Sequence, residues 1–138
     1  LDNPEKLFKS YHSLSSAINS GLVKTAHDCS EGGLGVALAE MCIGGRIGAK
    51  IDIDGTGKGT LWSRLWGESL GRIVIAVSPE NETAFLKQMA GSTTTYLGTI
   101  ENTQSLSITD GFDEIISAEV SQMVQSWQST LDMTGGEI

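Results

Sequence analysis

Ala26-His27-Asp28-Cys29-Ser30-Glu31-Gly32-Gly33-Leu34-Gly35-Val36-Ala37-Leu38-Ala39-Glu40 joins a polar cluster and a double glycine to the start of an apolar segment. Just upstream, Leu22 to Ala26 is a short, largely apolar run suited to a strand, while Leu34, Leu38 and Met41 recur at helical spacing. The polar residues therefore fall at a strand-to-helix junction. Gly32 and Gly33 lack a Cβ, so they can take positive φ and let a ligand approach the main chain. The free amides and positive dipole end of the following helix favour an anion there. Ser30 has two available roles, capping the helix or donating its hydroxyl to a phosphate oxygen. Asp28 and Glu31 have the wrong sign to touch phosphate directly, but they suit a bridging magnesium ion held by carboxylate and phosphate together, with no metal ligand secure and Asp28 a possible one. A serine followed by glycines before a helix is also an ordinary capped turn, and local chemistry alone does not choose between these readings.

The pattern on either side of this junction predicts mixed secondary structure. Leu7, Tyr11, Leu14 and Ile18 mark a first amphipathic helix that Gly21 ends as a C-cap. Gly44-Gly45 breaks the junction helix, and Lys50 to Asp54 alternates Ile51 and Ile53 inward with charges outward, as a half-exposed strand does. Leu61 to Trp66 reads as a short helix, and Arg72 to Val77 as a nearly continuous apolar strand, central in its sheet. Ser78-Pro79-Glu80 opens another helix with a cap, a first-turn proline and an acid, and Phe85, Leu86 and Met89 form its buried face. Thr94 to Ile100 and Ser105 to Thr109 are expected as a hairpin around an asparagine-containing turn. A last helix, Ala118 to Leu131, puts Val120, Met123, Val124, Trp127 and Leu131 on one side. A disordered tail is expected over 132–138. Helices and strands without strict alternation predict an α+β fold, a mixed sheet with helices packed on it in layers.

At 138 residues the chain has the size of one domain, so a single domain spanning 1–138 is expected, able to bury a core without metal or disulfide. Seventeen acidic residues against nine Lys and Arg give a net charge of −8. That balance disfavours nucleic acid, whose binding depends on cations neutralising phosphates. No apolar run approaches the ~20 residues that span a bilayer, and no cleavable leader precedes the first helix, so no membrane partner and a cytoplasmic location are expected. Cys29 and Cys42 form no Cys-x-x-Cys pair and read as two reduced thiols.

Several signals that resemble functional motifs have plainer explanations. Gly55-Thr56-Gly57-Lys58-Gly59-Thr60 has the flavour of a P-loop, yet Gly59 separates Lys58 from Thr60, and a flexible connection explains the glycines. His27, Asp28 and Cys29 spell a nucleophilic triad only in the sequence, because neighbours on an extended strand point to alternating faces and are not expected to converge. No catalytic residue is assigned. Trp62, Trp66 and Trp127 are expected in the core or an interface before a nucleobase stack. His12, among serines, is expected on the surface. Glu68 and Ser69, just before the apolar strand, have either a ligand hydroxyl or their own turn as hydrogen-bond partner.

The stretch His27 to Leu34, followed by Ala37-Leu38-Ala39-Glu40, resembles the Asp-x-(Ser/Thr)-x-Gly-Gly-Leu signature of the carboxy-terminal domain shared by the aminoimidazole ribonucleotide synthetase superfamily. Its form is most similar to the large, synthetase subunit of the phosphoribosylformylglycinamidine synthase family. Leu65-Trp66-Gly67-Glu68-Ser69-Leu70-Gly71-Arg72 and the apolar run to Val77 resemble that family's Phe/Tyr-Gly-Glu-Ser-x-x-Arg motif and its following strand. The resemblance covers roughly Lys24 to Thr109 and implies a partly ferredoxin-like layered fold. It further implies ATP- and glutamine-dependent amidation of formylglycinamide ribonucleotide in purine biosynthesis, a carbon-nitrogen ligase reaction. Phosphoryl transfer to the amide oxygen makes it a leaving group that ammonia displaces, with magnesium offsetting the charge.

In that family the catalytic histidine and most ATP and magnesium ligands lie in an amino-terminal type of domain whose motifs are missing here. The resemblance thus implies part of a larger multidomain chain, inactive alone and without a tightly bound cofactor of its own. The implied partners are the other synthetase domains, a glutaminase subunit or domain and a small accessory subunit. Asp28, Ser30, Gly32, Gly33, Glu68 and Ser69 are the candidate ligand or phosphate contacts. One departure is Leu70, where the substrate-binding copy of this domain is expected to carry glutamine. Losing that amide puts direct substrate binding in question, while the tapering end of the resemblance and the absence of an attached glutaminase domain suggest the second of the family's two copies. Other superfamily members, namely thiamine-monophosphate kinase, a hydrogenase maturation factor and aminoimidazole ribonucleotide synthetase, are the enzyme alternatives. An assembly module whose apolar helix faces dock on neighbouring domains is the non-enzyme alternative.

Overall fold

Asn3 begins the first helix by accepting a 2.9 Å hydrogen bond from the Lys6 amide, with Pro4 preset for the first helical position. The computed structural model describes residues 3–129. Helix α1, Pro4–Asn19, ends in a Schellman motif: Gly21 takes φ +71 and donates to Ile18 O at 2.9 Å, and Leu22 donates to Ala17 O at 3.0 Å. Leu22 and Val23 are thereby drawn onto a cluster of Leu14, Ala17, Phe85 and Met89. This corrects the expected strand at Leu22–Ala26, for β1 is Thr25–Asp28. The apolar run belongs to the helix cap and its core, and only the chain beyond it is free to pair. Tyr11 and Ile18 are exposed, so the buried face of α1 is set by Leu14 and Ala17 instead.

The remaining elements are α2 (Gly33–Gly45), β2 (Gly48–Asp52), α3 (Leu61–Trp66), β3 (Ile73–Ala76), a 3₁₀ turn (Pro79–Asn81), α4 (Glu82–Gln88), β4 (Gly98–Glu101), β5 (Ser105–Asp110), β6 (Asp113–Glu119) and α5 (Val120–Gln128). The mixture is α+β, as expected. Two compact units form: the chain up to Leu38 with Gly55–Tyr96, and Ala39–Asp54 with the chain from Leu97 onward. Helix α2 runs from the first unit into the second.

In the first unit β3 pairs antiparallel with β1, placing Val74 opposite His27 and Ile73 opposite Asp28. Among the described residues β3 is not central to a sheet; it pairs with β1 in a two-stranded ladder. Its unbroken apolar run has another cause. Ile73, Ile75 and Val77 share one face and pack on the α1–α4 cluster, while Val74 is buried on the opposite face. In α4, Phe85 and Met89 are buried but Leu86 is half exposed, contrary to expectation.

The second unit holds a mixed four-stranded sheet in the order β4-β2-β5-β6. β2 runs antiparallel to β4 and parallel to β5, and β5 antiparallel to β6. The alternation of β2 comes out as read: Ala49, Ile51 and Ile53 are buried between exposed Lys50 and Asp52. Facing pairs Ala49–Leu106 and Ile51–Ile108 build the sheet's core, to which α5 adds Val120 and Val124. The expected hairpin of Thr94–Ile100 with Ser105–Thr109 does not form, because β2 lies between β4 and β5. Gly48 makes room for this: its amide donates to Thr103 O at 2.8 Å, and any Cβ there would strike Thr103 and Ser105. The real hairpin is β5–β6, closed by Gly111-Phe112 with Gly111 at φ +64. Strand β6 was missed, and α5 starts at Val120, not Ala118. Leu131 and the tail 132–138 lie outside the described residues.

Candidate functional site

The strand-to-helix junction lies within the first unit and is built from β1, the start of α2 and the end of α3. β1 carries His27 and Asp28 to its last positions, and Cys29 continues the pairing by donating to Arg72 O at 3.0 Å. The chain then turns through Ser30-Glu31-Gly32 into α2. Gly32 and Gly33 stand at φ +75 and +64, the left-handed region predicted for them. At Gly33 the reason is close approach as well as conformation. A Cβ there would sit 2.8 Å from Leu65 O and 2.9 Å from Gly67 O, against the backbone that ends α3. At Gly35 a Cβ would run into the Trp66 ring. The glycines of the first motif are therefore the seat of the second.

Polar contacts complete that seat. The Gly32 amide donates to Glu68 Oε1 at 3.0 Å, joining residues far apart in sequence. The α2 amino end, read as a place for an anion, is in this structure engaged by the chain's own carboxylate, a favourable partner for both amide and dipole. Arg72 holds the loop that carries Glu68: Nη1 donates to Gly67 O at 3.1 Å and Nη2 to Arg64 O at 2.8 Å. Ser69 is exposed on this loop between them.

Ser30 does not cap α2 with its hydroxyl. Its Oγ donates to Asp28 Oδ2, and its carbonyl accepts from Gly33 N at 3.4 Å. The Ser30 hydroxyl, followed by the backbone amide of Asp28 itself, holds the Asp28 carboxyl below its ordinary value, with His27 adding a smaller electrostatic pull. His27 Nδ1 donates to the Asp28 carbonyl at 2.7 Å and stands 3.8 Å from Asp28 Oδ1. So His27 and Asp28 do approach each other, against the expectation from strand alternation, through the Asp28 carbonyl at the residue where β1 ends. Cys29 remains outside that group. It is buried, and burial pushes its thiol up, partly opposed by Arg72. A thiol so held is a poor nucleophile.

The junction thus offers three exposed carboxylates: Asp28 with a serine hydroxyl on it, Glu31 in the turn, and Glu68 on the Gly32 amide. Among the described residues no group of three or more His, Cys, Asp or Glu side chains could hold a metal by itself. Asp28 fits a magnesium ion only as a single protein ligand beside phosphate oxygens. Trp62 is exposed and Trp66 is partly exposed beside Gly35, so only Trp66 matches the expected packing role in this unit. In the second unit Trp127 is exposed too. His12 is exposed, as expected. The Gly55–Thr60 stretch is a loop with Gly55, Gly57 and Gly59 at positive φ. Sequence reading missed the clamp made by Arg72, although the arginine stands inside a quoted motif; an arginine amid apolar residues before a strand was the available signal.

Comparison with known proteins gives the same two motifs a common setting. The family model described as AIR synthase related protein, C-terminal domain, matches residues 1–111. The chain is 39% identical over 118 residues to phosphoribosylformylglycinamidine synthase subunit PurL of Synechocystis sp., covering 83% of this chain and 15% of that protein. To the subunit of the same name from Lactobacillus helveticus it is 33% identical over 129 residues, covering 94% of this chain and 17% of that protein. Its fold is similar to that of Thermotoga maritima PurL complexed with FGAR, with a TM-score of 0.78 at 19% identity over 88% of this chain and 21% of that one. It is likewise similar to the same protein complexed with ATP, with a TM-score of 0.74 at 19% identity over 84% of this chain and 21% of that one. The chain spans about a sixth of the length of the curated relatives it matches.

Proposed function

Since the chain belongs to the family of AIR synthase related proteins, C-terminal domain, we propose that it serves as a single carboxy-terminal domain of a formylglycinamidine ribonucleotide synthase. The complete enzyme would amidate formylglycinamide ribonucleotide with ATP and glutamine in purine biosynthesis. The observation that carries this reading is the meeting of the two motifs: Gly32 N–H on Glu68 Oε1, with Gly33 seated on the α3 end. Signatures that resemblance only placed in order along the chain form one built junction.

In this reading Asp28, Ser30, Gly32, Gly33, Glu68 and Ser69 line an anion or nucleotide pocket that other domains of the synthetase complete. Asp28 is the residue that would hold magnesium, whose contribution when bound is to offset phosphate charge. The Ser30 hydroxyl keeps Asp28 ionised and oriented for that task. The domain by itself is inactive and binds no cofactor tightly. Its partners are the rest of the synthetase chain, a glutaminase and a small accessory subunit, in the cytoplasm; neither nucleic acid nor membrane is among them. No helix among the described residues is long and apolar enough to cross a membrane. Exposed Trp62 and Leu70, at 72% and 81%, supply apolar surface for neighbouring domains to cover.

Calorimetric titration of the 138-residue chain with ADP and magnesium is expected to show weak or no binding, with binding appearing in the complete synthetase. Tight binding by the chain alone would refute a pocket shared between domains.

A further inference from the structure

We infer that Arg72 is a positioning residue: its guanidinium clamps the Gly67-Glu68 loop to the end of α3 and so holds the Glu68 carboxylate on the Gly32 amide. Three observations converge. First, the two guanidinium donors reach two different carbonyls, Gly67 O at 3.1 Å and Arg64 O at 2.8 Å, one on the loop and one on the helix. A planar fork with two fixed donors ties the loop to the helix in one orientation; a lysine ammonium, a single point, lacks that geometry. Second, helix α3 does not close its own end. Helix α3 spans only Leu61–Trp66, and Gly67 follows it in extended conformation at φ −71, ψ 127. No left-handed cap turns the chain there, so the last carbonyls depend on an outside donor. Third, the base of the clamp is fixed. Arg72 O accepts from Cys29 N at 3.0 Å, which anchors its backbone to the residue after β1. The arginine thus touches both strands that frame the turn, through its main chain, and the loop that fills it, through its side chain.

Glu68 itself is exposed on a loop. Without the clamp, a flexible carboxylate loses rotamer and loop entropy to make one exposed hydrogen bond, which is worth little net. With the loop already held, the carboxylate meets the Gly32 amide at small further cost. The glycine at 33 completes the device, since its missing Cβ lets α2 approach the carbonyls of Leu65 and Gly67, the second of which is also the one that Arg72 Nη1 binds. Arg72 is partly buried and its donors face backbone oxygens, so its role is to place Glu68 and not to contact a ligand.

The test is read by amide NMR on the 138-residue chain. Glu68→Gln defines the signature, a displacement of the Gly32 amide resonance on loss of the carboxylate. Arg72→Met, which keeps length and removes the donors, should move the Gly32 resonance to the same position while α1 and β5 resonances stay in place. Arg72→Lys should leave it between the two. A Gly32 resonance unmoved in Arg72→Met would overturn the proposal. Should that variant fail to fold, the unmodified chain decides: slowly exchanging, resolved Nη resonances of Arg72 are expected, and freely averaged ones would overturn the clamp. These readouts involve no ligand, so their failure leaves the nucleotide reading of the junction standing, and failure of that reading leaves the clamp standing.

Discussion

Gly33 and Gly44 lie in the same helix, and opposite outcomes are expected on substituting them. At Gly33 the left-handed φ of +64 strains any L side chain, and a Cβ would press on the carbonyls of Leu65 and Gly67. Backbone cannot yield as a flexible side chain can. Gly33→Ala should therefore cost about 2–4 kcal/mol in chemical denaturation, combining conformational strain with overpacking. At Gly44 nothing lies within 4 Å of the added atom, and no positive φ opposes it. Gly44→Ala should stabilise by about 0.5–1 kcal/mol, the usual gain for alanine over glycine in a helix. The Gly32-Gly33 conformation was legible from sequence because the junction's logic is local: a double glycine between strand and helix needs positive φ. The identity of what meets those glycines was not, because Glu68 and the α3 end arrive from another part of the chain.

At the scale of elements, Asp52 ends β2 and ties it to the β5–β6 turn. Its Oδ1 accepts from Asp54 N at 2.9 Å and from Gly111 N at 3.0 Å. Those amides, Asp54 first and Gly111 second, hold the Asp52 carboxyl below its ordinary value. A carboxyl lowered in the folded state binds its proton more weakly there than when unfolded. Its stabilising effect is thus fully present above the unfolded value, near 3.9, and is lost as pH falls through the lower folded value. Thermal unfolding followed from pH 6 down to pH 2 should show Asp52→Asn losing part of the acid-side decline of the unsubstituted chain; curves of identical shape would refute this role. The hairpin that Asp52 braces also shows what pattern reading overlooks. Asp110-Gly111 is a strong turn signal, yet β6 has few strongly apolar residues and was passed over in favour of an asparagine turn upstream. The asparagine turn connects strands separated by β2, and only the sheet's pairing reveals that.

For the whole molecule, the large apolar residues left on the surface bear on the proposed docking of neighbouring domains. Trp62 is 72% exposed on α3, a helix of six residues that buries only Leu65. If neighbouring synthetase domains cover that surface, a variant retaining Trp62 alone among the tryptophans should be readily quenched by acrylamide in the 138-residue chain. The same residue in the complete synthetase should then be protected and blue-shifted; equal quenching in both would count against coverage at α3. The sequence by itself determined the α+β composition, the strand-to-helix junction, the positive-φ glycines, the alternation of β2 and the family, since each of these rests on short-range pattern and chain stereochemistry. Tertiary structure alone decided that β3 pairs with β1, that β2 separates β4 from β5, and that Glu68 and Arg72 close the junction. Those outcomes depend on which distant segments bury one another's apolar faces and satisfy one another's backbone groups, and no local window of sequence contains both partners.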